Sequence, residues 1–82
     1  MAKKKTKFYL DITNCLVIGN ARRVKDKKEP IKSIHALSDE FDTNYTKLYR
    51  YQKDGFYKRP ETEISNIMEI LMVKENELVK KF

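Results

Sequence analysis

Apolar residues recur at helical spacing over most of this chain, most clearly in the segment that follows Pro60. Such spacing places the apolar side chains on one side of a helix, so the segment predicts an amphipathic α-helix. The residues that stand at positions i, i+3, i+4 and i+7 are Ile64, Ile67, Met68 and Leu71. After a short connection, a last short helix carrying Leu78, Val79 and Phe82 is expected.

Two further helices are predicted in the middle of the chain, each with a capping residue at its start. Ser33 can cap the first and Asn44 the second, because a Ser or Asn side chain accepts a hydrogen bond from a free N–H of the first turn. The second helix carries Leu48 and Tyr51 as a narrow apolar stripe, and Asp54-Gly55 is expected to stop it. The first has a longer stripe: Ile31, Ile34, Leu37 and Phe41.

The front of the chain carries two patterns in succession. Apolar and polar side chains alternate over residues 8–12, which is the period of a β-strand. A helical pattern follows, with Val17, Ala21 and Val24 as its apolar stripe, and runs to about Lys28. Glu29-Pro30 then breaks the helix, because proline has no N–H to donate. The pattern leaves open whether residues 8–18 are strand or helix.

Together these segments predict an all-α fold of about five short helices, and they allow one short N-terminal strand. A chain of 82 residues has room for one small core. We therefore expect a single domain over residues 8–82, preceded by a basic, flexible tail over residues 1–7.

The charge balance narrows the set of partners. Eighteen Lys and Arg stand against 12 Asp and Glu, which gives a formal charge of +6. This balance favours a polyanionic partner such as nucleic acid. The apolar run 15–18 is far shorter than the ~20 residues of a membrane span, so no membrane association is expected. With Cys15 as its single cysteine the chain cannot form an internal disulfide, and a cytoplasmic location is expected.

No catalytic or metal-binding constellation is visible in the sequence. His35 is the only histidine, and no Cys stands at ligand spacing from it. Cys15 has apolar neighbours and is expected to be buried. Gly19 and Gly55 are too far apart to form a phosphate-binding glycine loop. We expect a protein that is not an enzyme and uses no cofactor, metal or small-molecule substrate.

The most informative pattern covers about residues 33–53. Ser38 is a small residue near the middle of the first helix, where a second helix can cross closely. Phe41 before the turn and Leu48 after it are suited to hold the two helices together. Asp42-Thr43 lets the chain change direction within a few residues. This order resembles the helix-turn-helix of the phage repressor and Cro (lambda-repressor-like) family.

The resemblance extends over about residues 20–79. Arg23 to Lys28 looks like the end of the family's first helix, and Asp54 to Pro60 resembles its glycine-containing turn and basic loop. In the family an amphipathic helix, a tight turn with a valine and a final helix with a leucine normally follow. Their counterparts here are Ile64 to Leu71, Val73 and Leu78.

Two features depart from the family pattern. Ile34 stands at about the place where the family often has a glutamine that contacts phosphate. Lys28 and Gln52 stand where many members form an Arg–Glu ion pair, which these two residues cannot form.

The resemblance implies a sequence-specific double-stranded DNA-binding protein, a transcriptional regulator such as a repressor, from a phage or mobile element. The helix over residues 45–53 would enter the major groove. The base contacts expected from this placement are Tyr45, Thr46, Lys47, Tyr49 and Arg50. The expected contacts to the DNA backbone are Ser33, Asn44, Lys58, Arg59 and the tail lysines Lys3, Lys4 and Lys5.

Family members commonly dimerise, so the resemblance also implies a homodimer. The apolar segments expected to form its contact are residues 8–18 and the residues Leu78, Val79 and Phe82.

A second hypothesis keeps the helical fold but assigns it to a protein partner. The chain would then be an interaction module, such as an inhibitor or accessory factor of a mobile element. Aromatic residues are favoured at protein interfaces, and Tyr45, Tyr49, Phe56 and Tyr57 supply them. On this hypothesis Lys47 and Arg50 are an ordinary solvated helix face.

Overall fold

The computed structural model describes residues 6–41 and 43–82. In this part of the chain five helices and two short strands alternate with short connections. Their bounds, in chain order, are β1 Phe8–Leu10, α1 Ile12–Lys25, α2 Ile34–Glu40, α3 Tyr45–Lys53, α4 Glu61–Leu71, α5 Glu75–Leu78 and β2 Val79–Lys81. The expectation of a mostly helical chain with five helices is confirmed. The tail lysines Lys3, Lys4 and Lys5 and the turn residue Asp42 lie outside the described residues.

The two strands pair with each other and so bring the two ends of the described chain side by side. β1 runs antiparallel to β2, with Phe8 opposite Lys81, Tyr9 opposite Lys80 and Leu10 opposite Val79. The question that the sequence left open is thus answered: residues 8–10 are a strand, and a helix begins at Ile12. The last helix was predicted too long, because the chain leaves it at Leu78 and continues as β2.

The sheet corrects the all-α expectation for a physical reason. A buried strand must pair its backbone N–H and C=O groups, and only another extended segment can pair with β1 along its length. On its other side, Phe8 exchanges two backbone hydrogen bonds with Phe56, at 2.9 and 2.7 Å.

Helix α1 starts at Ile12, five residues before the first residue of the predicted apolar stripe. The face that it buries is not the face of that stripe. Val17 and Val24 of the predicted stripe are 69% and 58% exposed. The buried residues of α1 are instead Ile12, Cys15 and Gly19. The stripe was misassigned because periodicity identifies a helix face but not the face that the rest of the fold covers.

Gly19 brings α1 close to α4. A Cβ built at Gly19 would lie only 2.9 Å from the Cβ of Leu71 and would also strike the Leu71 carbonyl oxygen. The absence of a side chain at this position therefore sets the separation of the two helices.

Side chains of α1 hold the connection between α1 and α2, and Arg23 donates to the Glu29 carbonyl at 2.8 Å. The Asn20 amide donates to the Ile31 carbonyl at 2.6 Å and accepts from the Ile31 N–H at 2.7 Å. Ile31 is thereby placed in the core, although it precedes the helix to which its spacing assigned it.

A second set of polar contacts joins α1 to the end of α4 and to α5. The Arg22 guanidinium contacts both carboxylate oxygens of Glu77 at 2.8 Å and donates to the Met72 carbonyl at 2.8 Å. Arg23 donates to the Ile70 carbonyl at 2.7 Å. These arginines satisfy carbonyls at the end of α4 that no helical N–H reaches.

One core runs through the described residues and draws on every helix. The buried apolar residues are Leu10, Ile12, Cys15, Ile31, Leu37, Leu48, Phe56, Ile64, Ile67, Leu71, Val73 and Leu78. Both segments expected to form a dimer contact contribute to this core. Of their large apolar residues, Val17 and Phe82 remain exposed, at 69% and 63%. Within the described residues no helix is both long and apolar enough to cross a membrane.

Candidate nucleic-acid interface

The helices α2 and α3 begin at the two predicted caps. The Ser33 hydroxyl accepts from the Ala36 N–H at 3.1 Å, and the Asn44 side-chain oxygen accepts from the Thr46 N–H at 2.9 Å. Both caps are thus confirmed, and they fix where each helix starts. The caps occupy acceptor oxygens, so the Ser33 hydroxyl proton and the Asn44 amide protons can still be donated to a phosphate.

Helices α2 and α3 lie against each other, and the residues chosen from the sequence for their contact are buried or half-buried. Leu37 and Leu48 are fully buried, and Ser38 is 2% exposed. The Ser38 hydroxyl donates to the His35 carbonyl at 2.6 Å, so this buried polar group is satisfied within its own helix. Phe41 is half-buried and packs on the same core. Leu37, Phe41 and Leu48 thus belong to one core, and Ser38 is buried on α2.

Helix α3 has one side in the core and one side in solvent. Leu48 is buried, and the half-buried Tyr51 meets the ring of Phe56 edge-on at 5.7 Å. The opposite side carries exposed residues at positions i, i+3, i+4 and i+7, which we call the outer face of α3. These residues are Thr46, Tyr49, Arg50 and Lys53.

Lys53 on this face was missed by the sequence prediction of the site. Its signal was present, because it stands three residues after Arg50 and four after Tyr49 on the same helix. A lysine there adds a second cation to the outer face of α3.

Two of the predicted base-contact residues are already engaged inside the molecule. The ring of Tyr45 lies 4.9 Å from the ring of His35 on α2, and Tyr45 remains 48% exposed. The Lys47 ammonium lies 3.5 Å from a carboxylate oxygen of Glu63, whose side chain is 12% exposed. Tyr45 therefore braces α2 against α3, and part of the Lys47 charge is neutralised by α4.

A depression runs along one flank of α3. It has a volume of about 390 Å³ and is lined by Asn44, Thr46, Lys47, Arg50 and Tyr51. Three of the five predicted base-contact residues line it. The depression offers hydrogen-bond donors and two cations to a ligand that approaches the start of α3.

The loop after α3 separates its two basic residues. Lys58 is exposed. Arg59 is bound to Glu61 and to Glu75 of α5, the latter at 2.5 Å. Its hydrogen bonds to Glu61 and then Glu75 raise the pKa of the guanidinium above its ordinary value. Arg59 thus tethers the loop to α4 and α5, and Lys58 is the cation that this loop presents to a partner.

Gln52 joins the end of α3 to the start of α1. Its side-chain oxygen accepts from the Thr13 N–H at 2.7 Å and from the Thr13 hydroxyl at 2.9 Å. Asp11, the residue that precedes α1, makes no capping hydrogen bond with its side chain. Gln52 therefore caps α1 from another helix. Lys28, the residue at the other position of the family's ion pair, lies 3.6 Å from Asp26.

The remaining candidates for chemistry do not form a site. Within residues 6–41 and 43–82 no group of three His, Cys, Asp or Glu side chains is arranged to hold a metal ion. Cys15 is fully buried, and its burial, followed by the nearby Asp11 and Glu77 carboxylates, raises the pKa of its thiol to about 11. The thiolate needed for nucleophilic chemistry is therefore scarce at neutral pH.

Comparison of the chain with protein-family models, with curated proteins and with solved structures gives no match. The resemblance to phage repressors and Cro proteins stays a prediction from the sequence pattern, and the candidate interface is judged on its own geometry and charge.

Proposed function

We propose that this chain is a sequence-specific double-stranded DNA-binding protein that reads the major groove with α3. The observation that carries the proposal is the outer face of α3, where Thr46, Tyr49, Arg50 and Lys53 are exposed together without a carboxylate among them. A major groove about 12 Å wide admits a helix of this kind. In this proposal α2 and α3 act as a helix-turn-helix, with α2 crossing the DNA backbone.

The side chains of this face match the groups that a major groove presents. Arg50 can donate two parallel hydrogen bonds to the O6 and N7 acceptors of guanine. Thr46 can contact a thymine methyl or donate to a base edge. Tyr49 and Lys53 suit sugar and phosphate contacts, which position a helix without reading sequence. Lys58, in the following loop, is a further phosphate contact.

The proposal extends to regulation of transcription as a homodimer, since a dimer of such domains meets two half-sites about 34 Å apart. Of the large apolar residues in the two segments first expected at the dimer contact, only Val17 and Phe82 are exposed in the monomer. A dimer that uses these segments must therefore form around these two side chains.

Selection from random double-stranded DNA tests the proposal. The protein should recover a defined motif, and Arg50→Ala should blur it at one position, at a cost of about 1–3 kcal/mol. Lys28→Ala is the matched control, because it removes the same charge from an exposed side chain outside α3. Retained DNA without a common motif, or an equal effect of both substitutions, would exclude sequence reading by α3.

Exposed tyrosines support a second candidate, a module that binds a protein. Tyr45, Tyr49 and Tyr57 are 48%, 51% and 57% exposed, and aromatic residues are enriched at protein interfaces. Salt separates the two candidates. Affinity for DNA falls steeply with ionic strength because counterions are released, whereas a contact anchored by aromatic rings changes little.

A further inference from the structure

A second group of aromatic and basic side chains, of which Tyr57 and Phe82 are exposed and the others half-buried, includes one face of the two-stranded sheet. The ladder continues past β1, because the Phe82 N–H donates to the Lys7 carbonyl at 2.9 Å. Side chains alternate between the two faces of a sheet, so one face carries Leu10 and Val79 toward the core. The opposite face carries Lys7, Tyr9, Lys80 and Phe82, with Lys7 opposite Phe82 and Tyr9 opposite Lys80.

These side chains form an ordered cluster with a tyrosine of the loop after α3. The Lys7 ammonium lies 4.6 Å from the ring centre of Phe82 and 5.8 Å from that of Tyr57. The rings of Tyr9 and Phe82 meet edge-on at 5.7 Å. We call Lys7, Tyr9, Tyr57, Lys80 and Phe82 the sheet patch.

The aromatic rings of the sheet patch are held in place yet open to solvent. Phe82 lies over Gly55, where an added Cβ would come within 2.7 Å of a ring carbon. Phe82 is nevertheless 63% exposed and Tyr57 57% exposed. Ring surface of this extent in solvent is unfavourable, and it indicates a surface that a partner covers.

The charges of the sheet patch select an anionic partner. Its two lysines make no salt bridge with a carboxylate of the described residues. The Lys7 ammonium sits between two rings, at the centre of the cluster. A protein partner would have to remove water from this ammonium, and lysine is depleted at the centres of protein interfaces for that reason. Phosphate groups neutralise an ammonium at a surface that stays wet.

We propose that the sheet patch binds single-stranded nucleic acid, with bases stacked on Phe82 and Tyr57 and phosphates bound by Lys7 and Lys80. Exposed rings beside cations are the combination that single strands bind, because every unpaired base offers a face for stacking. In a duplex the faces of the bases are already stacked on one another. The sheet patch shares no residue with the outer face of α3, so the two surfaces are tested separately.

The test measures binding of the full chain to a fluorescein-labelled oligothymidylate of about 12 nucleotides, by fluorescence anisotropy at moderate salt. Tyr57→Ala and Phe82→Ala should each weaken binding about 5- to 150-fold, the range for loss of one stacked base. Tyr57→Phe should retain the affinity, since the ring remains. Val24→Ala is the matched control, because it removes apolar surface from a side chain that is 58% exposed and belongs to neither proposed surface.

The same variants are measured on duplex DNA, and their circular dichroism and thermal unfolding are compared with those of the unmodified chain. Loss of oligothymidylate binding with Tyr57→Ala, together with full retention by Val24→Ala, supports the sheet patch. The proposal is overturned if the oligothymidylate does not bind, or if Tyr57→Ala and Val24→Ala weaken its binding equally. Phe82 is also a candidate dimer residue, so Tyr57→Ala, which lies outside both candidate dimer segments, decides the sheet-patch proposal. Arg50→Ala reports separately on the duplex proposal.

Discussion

Glu77 shows how a single side chain joins distant parts of this chain. Its carboxylate binds Arg22 of α1 through two hydrogen bonds of 2.8 Å. It also accepts from the Lys74 N–H at 2.8 Å, at the start of α5. The hydrogen bonds from Arg22 and then from Lys74 lower the pKa of Glu77 from 4.5 to about 2. The charged form is therefore the form that stabilises the fold.

The lowered pKa of Glu77 predicts how the stability of the fold depends on pH. A carboxyl whose pKa is lower in the folded chain stabilises it above the unfolded value, and loses that effect as the pH falls through the folded value. Glu77→Gln should therefore lower the urea midpoint at pH 7, and the difference from the unmodified chain should shrink between pH 4.5 and about 2. Urea unfolding across this range measures it. A difference that is constant with pH would contradict the prediction.

Gln52 makes a comparable connection at the other end of α1. Gln52→Ala leaves the Thr13 N–H without its acceptor, so the free energy of unfolding should fall by about 0.5–1.5 kcal/mol. Gln52→Glu is the control, because it keeps the acceptor oxygens and places a negative charge favourably at a helix N-terminus. Chemical denaturation of both variants tests this. Equal stability of Gln52→Ala and Gln52→Glu would show that the contact contributes nothing.

At the scale of elements, the close packing of α1 on α4 depends on Gly19. A methyl group at this position would strike both the carbonyl oxygen and the side chain of Leu71. Backbone atoms of a packed helix cannot move aside as the end of a flexible side chain can. The separation of the two helices is therefore sensitive to one added carbon.

Gly19→Ala should destabilise the chain although alanine favours helix formation more than glycine. The expected loss is about 1–3 kcal/mol, the usual cost of overpacking a core. Asn14→Ala is the control, since Asn14 is exposed on the same helix and its change should stay within about 0.5 kcal/mol. Thermal unfolding followed by circular dichroism compares the two. If Gly19→Ala were as stable as the unmodified chain, α1 and α4 would pack less closely than described.

At the scale of the whole molecule, the chain has a net charge of +6, but its individual cations are not equally available to a partner. Several cations are held by carboxylates, among them Arg22, Lys47 and Arg59. Arg50, Lys53 and Lys58 are exposed at or beside α3. The charges of these three residues are therefore available to attract a polyanion.

The salt dependence of DNA affinity tests this distribution. If about six phosphates are neutralised, the logarithm of the affinity should fall with the logarithm of salt concentration at a slope near −5. Lys53→Gln should make the slope about one unit less steep, whereas Lys28→Gln should leave it unchanged. Titrations of labelled duplex at several salt concentrations measure both. Equal slopes for the two variants would remove Lys53 from the interface.

The sequence by itself determined the features that depend on neighbours within a few residues. Ser33 and Asn44 were recognisable as caps because a cap bonds to its own helix. Gly55, with a φ of 79°, ends α3 for the same local reason. The spacing within α4 and the bounds of α3 were likewise predicted. Three residues of the outer face of α3 were also predicted, and only Lys53 was missed.

The tertiary structure decided the features that join residues far apart in the chain. The pairing of β1 with β2 turned the predicted end of the last helix into a strand. The close approach at Gly19 decided which face of α1 is buried. Lys47 is paired with Glu63, and Arg59 with Glu61 and Glu75, so part of the charge of both residues is neutralised within the molecule. Local periodicity and capping carry no information about such partners, because their contacts form only when the chain closes on itself.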